Sequence, residues 1–234
     1  MKINIKGDII SDRQQRFYDW LGIAGTSPSK VIAALPKGKR DVEVVVNSGG
    51  GDVFAGSEIY TALKEYEGNV TVKVVGIAAS AASVIAMAGD KILISPTAQM
   101  MIHNVSTQYV SGDHRKFAHT AEVLKSANQS IVNAYKAKTG KTDDELLALM
   151  DNETWFNAEK AVEKGFADEI ITFSKDENKN NQLIASFNET FLTSEAIEKL
   201  EGLINDEPAT ASPPNQNQLE ARLKLLKLKG EHIQ

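Results

Sequence analysis

Four short stretches of the sequence carry side chains that could do chemistry together. Gly76-Ile77-Ala78-Ala79-Ser80-Ala81-Ala82-Ser83 reads as a strand end of small residues running into a helix N-terminus, which makes Ser80 a candidate nucleophile. Backbone N–H donors and the positive end of the helix dipole there would favour developing negative charge. The same stretch also fits a tightly packed small-residue helix with no chemistry. Of the four histidines, His232 lies near the end of the chain, and His114 and His119 stand five positions apart on a predicted helix, on different faces. Only His103 emerges from an apolar strand, after Met101 and Ile102, into a loop where it could serve Ser80 as a base or act as a structural imidazole. Asp151 and Glu153, in Asp151-Asn152-Glu153-Thr154-Trp155-Phe156, offer an acid to orient such an imidazole, or are solvated loop charges.

The fourth stretch, Asn47-Ser48-Gly49-Gly50-Gly51, sits between a predicted strand and helix, and its consecutive glycines could expose N–H groups to a phosphate or an oxyanion. A dinucleotide site would need an acidic residue at the end of the next strand, which instead ends at Gly76-Ile77. A P-loop would need Gly-Lys-Ser/Thr entering the helix, where this chain has Gly51-Asp52-Val53. The nucleotide readings fall away, leaving an oxyanion-binding turn or a tight turn with no ligand. Gly-x-Ser-x-Gly is absent, which argues against an α/β-hydrolase.

Composition narrows the chemistry further. With no cysteine there is no disulfide, no thiolate nucleophile and no Cys-ligated zinc, and no His-Glu-x-x-His pattern suggests a metal. Neither metal nor cofactor is expected, and catalysis would rest on Ser, His and carboxylates. A formal net charge of −5 gives no attraction for polyphosphate, so no nucleic-acid partner is expected. The longest run free of Asp, Glu, Lys, Arg and His, 74–89, is shorter than the ~20 residues of a membrane helix. Met1-Lys2-Ile3-Asn4-Ile5-Lys6-Gly7 has no apolar signal region, so a cytoplasmic location is expected.

The hydrophobic pattern predicts strands at 3–5, 42–46, 70–77, 91–94, 99–103 and 170–173. Helices are predicted at 12–21, 30–35, 54–66, 78–88, 113–138 and after the Asn157 cap, with a capping box at Thr142 and Glu145. Repeated strand, glycine turn and helix means a layered α/β domain, expected over residues 1–173. From 174 the composition turns polar, and 206–218 carries Pro208, Pro213 and Pro214. Residues 174–234 therefore read as a linker-separated tail with amphipathic helices at 194–204 and 219–229.

Taken together and in order, Val46-Asn47-Ser48-Gly49-Gly50-Gly51, Gly76-Ile77-Ala78-Ala79-Ser80, Met101-Ile102-His103-Asn104, and Trp155-Phe156-Asn157-Ala158 with Ala161-Val162-Glu163-Lys164-Gly165-Phe166-Ala167-Asp168 resemble the ClpP peptidase family over about residues 1–173. The resemblance implies the ClpP/crotonase-like α/β fold of layered β-β-α repeats. It implies Ser80 as nucleophile, His103 as general base, and the backbone N–H groups of Gly51 and Ala81 as the oxyanion hole. The family's aspartate falls on Glu153, with Asp151 as rival, and Asp168 matches a family aspartate outside the triad and reads as structural. Gly49 stands where the family has proline, and the segment between Ser80 and His103 looks shorter. The chain starts at its first strand, without room for the axial loops that engage an unfoldase, so no unfoldase partner is expected.

Phe17-Tyr18-Asp19-Trp20-Leu21-Gly22, Thr26-Ser27-Pro28 and the polar C-terminus look like the ClpP-related head maturation proteases of tailed phages and prophages. That likeness implies an ATP-independent serine endopeptidase acting on scaffold or capsid protein, in the host cytoplasm or prohead interior. It also implies homo-oligomeric rings, with 105–112 and 113–138 interleaving if rings stack. Two other readings are a crotonase-type acyl-CoA hydratase or isomerase, which would not need Ser80 paired with His103, and a non-catalytic capsid assembly factor.

Overall fold

A computed structural model describes residues 1–107 and 110–173. The expected helices at 194–204 and 219–229, and the linkers beside them, lie outside the described residues. The centre of the molecule is a parallel sheet, because its strands are too apolar to face water on either side. Val42, Val44, Val46, Val70, Val72 and Val74 are all buried. These valines belong to β3 (Val42–Gly51) and β4 (Val70–Ala79), flanked by β1 (Lys2–Ile9) with β2 (Gly25–Thr26) on one side and β5 (Lys91–Ile94) with β8 (Glu169–Ile170) on the other. Parallel neighbours need crossovers. These run through α1 (Asp12–Leu21) and α2 (Pro28–Ala34), then α3 (Val53–Lys64), then α4 (Ala81–Ala86). The layered α/β fold expected from the sequence is the fold observed.

One feature of the sheet positions everything that follows. The first half of β4 pairs with β5 through Thr71 to Val74, while its last residues, Ile77 to Ala79, pair with β6 (Gln99–Ile102). β6 then pairs antiparallel with β7 (Thr154–Asn157) in the register Met101↔Trp155 and Ile102↔Thr154. The ends of β4 and β6 and the start of β7 are thus brought side by side. Behind them, α5 (His114–Thr139) and α6 (Asp143–Asp151) close the core, with Val132, Tyr135, Leu146 and Met150 buried. The expected Asp113 cap and the Thr142–Glu145 capping box are both present. Asn157 caps α7 (Ala158–Glu163) through a bond from Lys160 N–H.

Several expected boundaries move. The glycine run at 47–51 does not break its strand: β3 continues to Gly51, paired with β1 through Asp8↔Gly50 and Ile9↔Gly51. Gly50 and Gly51 take φ of 112° and 145°, open to glycine, so the run is an irregular strand end and not a turn. The helix expected from residue 78 starts only at Ala81, because Ala78 and Ala79 are still in β4. β1 passes through Gly7 to Ile9, and α2 starts at Pro28, a residue suited to the first helical position. The closing strand is the short β8, and β7 occupies a stretch expected to be loop. Four residues of mixed polarity, the last of them the next helix cap, gave no alternation from which to read β7.

A methyl group on Gly50 would come within 2.6 Å of the Ser80 Cβ and 2.8 Å of the Ala79 carbonyl, at a φ that side chains avoid. Gly50→Ala should therefore destabilise the fold by roughly 2–4 kcal/mol, read as a lower urea midpoint with unchanged slope.

Candidate active site

Ser80 stands at the corner between β4 and α4. Its φ of 53° and ψ of −128° are unusual for a residue with a side chain, and they turn the chain sharply from strand into helix. No Gly-x-Ser-x-Gly motif is needed to make this elbow. Room comes from neighbours, since Gly50 and Ala81 carry little or no side chain on either side of the serine. The corner is fixed by Ser80 N–H donating to the Met101 carbonyl at 3.0 Å, which continues the β4–β6 ladder past Ala79↔Met101. Two residues beyond Met101, His103 leaves β6 on the same edge. Its Nε2 lies 2.7 Å from Ser80 Oγ.

The other neighbour of β6 brings an acid. Ile102 pairs with Thr154 in the last rung of the ladder, and Glu153 comes just before Thr154, beyond that rung and near His103. Glu153 itself has φ of 44°, the only positive value on a non-glycine residue besides Ser80 among the described residues. Its carboxylate accepts a bond from Trp155 Nε1 at 3.3 Å and is not hydrogen-bonded to the imidazole. Its charge is nevertheless felt there. Burial pushes the His103 pKa below its ordinary value, and the Glu153 charge opposes that shift in part. The ring is consequently neutral near pH 7, and in the tautomer with its hydrogen on Nδ1 the Nε2 atom can accept the Ser80 proton.

Asp151, the rival acid, is engaged elsewhere. Its Oδ1 accepts from Asn104 Nδ2 at 2.7 Å, Asn104 Oδ1 accepts from Asn128 Nδ2 at 2.8 Å, and Asn128 Oδ1 accepts from Val105 N–H at 2.7 Å. This ladder ties the loop after His103 to α5 and α6. Asn104 enters the sequence reading only as the end of the Met101–Asn104 stretch and Asn128 not at all, because single asparagines on a loop and a helix carry no pattern. Asp168 accepts from Ile92 N–H and from Lys138 Nζ, away from Ser80 and in keeping with a structural part.

Gly51 and Ala81 both line the cleft that holds Ser80 and His103. Ala81 opens α4, so its N–H has no partner within the helix. The end of β3 passes close by, since a Cβ on Gly50 would be 3.1 Å from Ala81 N. The cleft has a volume of about 450 Å³ and apolar walls from Ile9, Ile10, Val84, Ile131 and Tyr135, with the exposed ring of Phe54 at its rim. Such a cleft could hold an extended chain with an apolar side chain turned inward. Among the described residues no three His, Asp or Glu side chains come together to hold a metal ion, and no helix is long and apolar enough to cross a membrane.

Comparison with known proteins agrees with this geometry. The Clp protease family model matches residues 29–174, more than half of the chain. Proteolytic subunit 1 of the ATP-dependent Clp protease of Leifsonia xyli subsp. xyli is 30% identical over 149 residues, covering 60% of this chain and 72% of that protein. Its counterpart in Corynebacterium jeikeium is 32% identical over 139 residues, 58% of this chain and 73% of the relative. Among solved structures, a ClpP1 mutant from Listeria monocytogenes superposes with a TM-score of 0.58 at 22% identity, over 75% of this chain and 92% of that one, a likeness of fold.

The lowered His103 pKa sets a pH dependence. Were His103 to act as the base for Ser80, reactivity would follow the neutral imidazole and be lost as pH falls through the His103 pKa, which lies below the ordinary value of about 6.5. The acid limb of a pH profile for ester hydrolysis should therefore have its midpoint below that value. Glu153→Gln removes the charge that holds the pKa up and should move the limb lower still, whereas Asp151→Asn should leave it in place.

Proposed function

The chain belongs to the Clp protease family, and from that membership we propose that it is a serine endopeptidase using Ser80, His103 and Glu153 to process structural proteins during phage head maturation. The observation that carries the chemistry is the 2.7 Å contact between His103 Nε2 and Ser80 Oγ, at a strained corner facing an open cleft. A crotonase-type hydratase would have no use for that pair.

In the proposed reaction Ser80 Oγ bonds to the peptide carbonyl carbon while His103 Nε2 takes the hydroxyl proton. The N–H groups of Gly51 and Ala81 hold the resulting oxyanion. The C–N bond then breaks, His103 passes its proton to the leaving amine, and water, deprotonated by His103, releases the acyl group from Ser80. Glu153 stabilises the imidazolium by its charge from just beyond the β6–β7 ladder, and Asp151 serves the asparagine ladder instead. No step consumes ATP or calls on a metal or cofactor.

The catalytic unit of this proposal is 1–173, and 174–234 is an extension that directs it to capsid or scaffold. A homo-oligomeric ring is part of the same reading. It is supported by the first half of α5, which projects from the core and exposes Phe117 and Val123 at 51% and 49%. Head maturation as the setting is supported by the likeness of Phe17 to Gly22, Thr26 to Pro28 and the polar C-terminus to the phage enzymes. The reading has the protein working in the host cytoplasm or the prohead.

Mass spectrometry of the full chain co-expressed with the scaffold and capsid proteins of its own phage or prophage tests this. Ser80→Ala should leave those proteins uncut, whereas the wild type yields defined fragments; identical products from both would reject the proposal. Deletion of 174–234 should preserve cleavage of a short peptide and abolish processing of the assembled substrate.

A further inference from the structure

A buried hydrogen-bond chain behind the nucleophile has no part in the reaction as described above. Ser83, completely buried, donates from Oγ to the Ser80 carbonyl at 2.6 Å. Tyr135, on the long helix α5 and 1% exposed, has its hydroxyl 2.8 Å from the same Ser83 Oγ. A serine hydroxyl has one proton. With that proton committed to the Ser80 carbonyl, the Tyr135 hydroxyl must be the donor in its contact with Ser83. The chain therefore runs one way, from Tyr135 O–H to Ser83 Oγ and from Ser83 O–H to the Ser80 carbonyl. Burial holds the Tyr135 phenol well above its usual titration range, so the proton stays on the ring oxygen at any working pH.

The carbonyl at the end of this chain is not an arbitrary acceptor. The Ser80 C=O and the Ala81 N–H belong to one planar peptide unit and point in opposite directions. Whatever fixes the carbonyl therefore fixes the direction of the N–H. In the proposed reaction that N–H is one of the two oxyanion donors, and its peptide follows a residue at φ 53°, where the backbone must be held by its surroundings. The backbone N–H groups of Ser83 and Val84 also reach the Ser80 carbonyl, at 2.9 and 3.3 Å, but both belong to the short helix that turns with the peptide. Only the side-chain route anchors it to a separate element, α5.

We propose that Tyr135 and Ser83 are positioning residues that orient the Ser80–Ala81 peptide for oxyanion binding, Tyr135 acting only through Ser83. The inference rests on the serine-peptidase reading and adds to it a dependence of catalysis on the placement of α5. Tyr135 has a second, separable role, since its ring lines the cleft and meets Phe166 edge-on with centroids 5.8 Å apart. Removing the hydroxyl alone leaves that wall intact.

The test uses the full chain, 4-nitrophenyl butyrate as substrate, and 1-butaneboronic acid, whose tetrahedral adduct on Ser80 places an oxygen where the oxyanion forms. Tyr135→Phe should lower kcat about three- to tenfold, and Ser83→Ala about ten- to a hundredfold, less than outright loss of an oxyanion donor. In both, KM should stay within about twofold, boronate affinity should fall in parallel with kcat, and the double variant should match Ser83→Ala. A rise in KM at unchanged kcat would make Tyr135 a wall residue only and overturn the inference. So would wild-type kcat and boronate affinity in both variants, or additive losses in the double. Should Ser83→Ala not fold, Tyr135→Phe decides by the same two readouts. Ser80→Ala run alongside separates the levels: if the wild type is no faster than Ser80→Ala, the peptidase reading and this inference fall together. If the wild type depends on Ser80 while the positioning variants lose nothing, only the inference falls.

Discussion

The site depends on one hydrogen bond of the sheet, the one from Ser80 N–H to the Met101 carbonyl. It carries the β4–β6 pairing one residue beyond the end of the strand, and so sets which residue of the β6 edge faces the serine. With that register His103, one residue past the end of β6, reaches Ser80 Oγ, and the β6–β7 pairing leaves Glu153 just beyond its last rung, where its charge is felt by the imidazole. Slipping β6 by one residue would turn its side chains to the other face and send the imidazole away from the hydroxyl. The fork in β4 makes this arrangement possible, because β5 leaves the sheet edge at Ile94 and frees the last residues of β4 to take a second partner.

Geometry of this kind is held by tightly packed, small side chains. Ser80 and Glu153 both sit at positive φ, and such residues persist only where the surroundings over-determine them. Around Ser80 that constraint comes from Gly50 in front, the alanines of α4 beneath and the Ser83–Tyr135 contact behind. Around His103 it comes from the Asn104–Asn128–Asp151 ladder. The half-buried imidazole that results is kept neutral at physiological pH. Placement of the ring and tuning of its pKa thus share a cause, because the packing that aims it also strips water from it.

Much of this was legible in the chain. The valine runs at 42–46 and 70–74 could only be covered strands, and Asp113, Thr142 and Asn157 announce their helices by cap chemistry that the structure repeats. Ser80 and His103 stood out because each ends an apolar strand. What remained hidden was whatever depends on pairing across the sheet. Glycines signal a break when read locally, yet Gly50 and Gly51 stay in the ladder because β1 lies alongside to accept them. β7 has no alternation of its own and exists because β6 offers it an edge. Two residues of spacing also say nothing about which carboxylate an asparagine on another element engages, as Asn104 engages Asp151 and not Glu153. Ser83 was visible three residues after Ser80, but its partner Tyr135 is 52 positions further on.

The central claim is that strand register makes Ser80 and His103 a single reactive unit. Peptide mapping by mass spectrometry after brief exposure of the full chain to a fluorophosphonate tests it most directly. The account predicts one adduct, on Ser80, whose formation collapses in His103→Ala although that variant remains folded. An adduct on another residue, or labelling of Ser80 at an undiminished rate without His103, would contradict it.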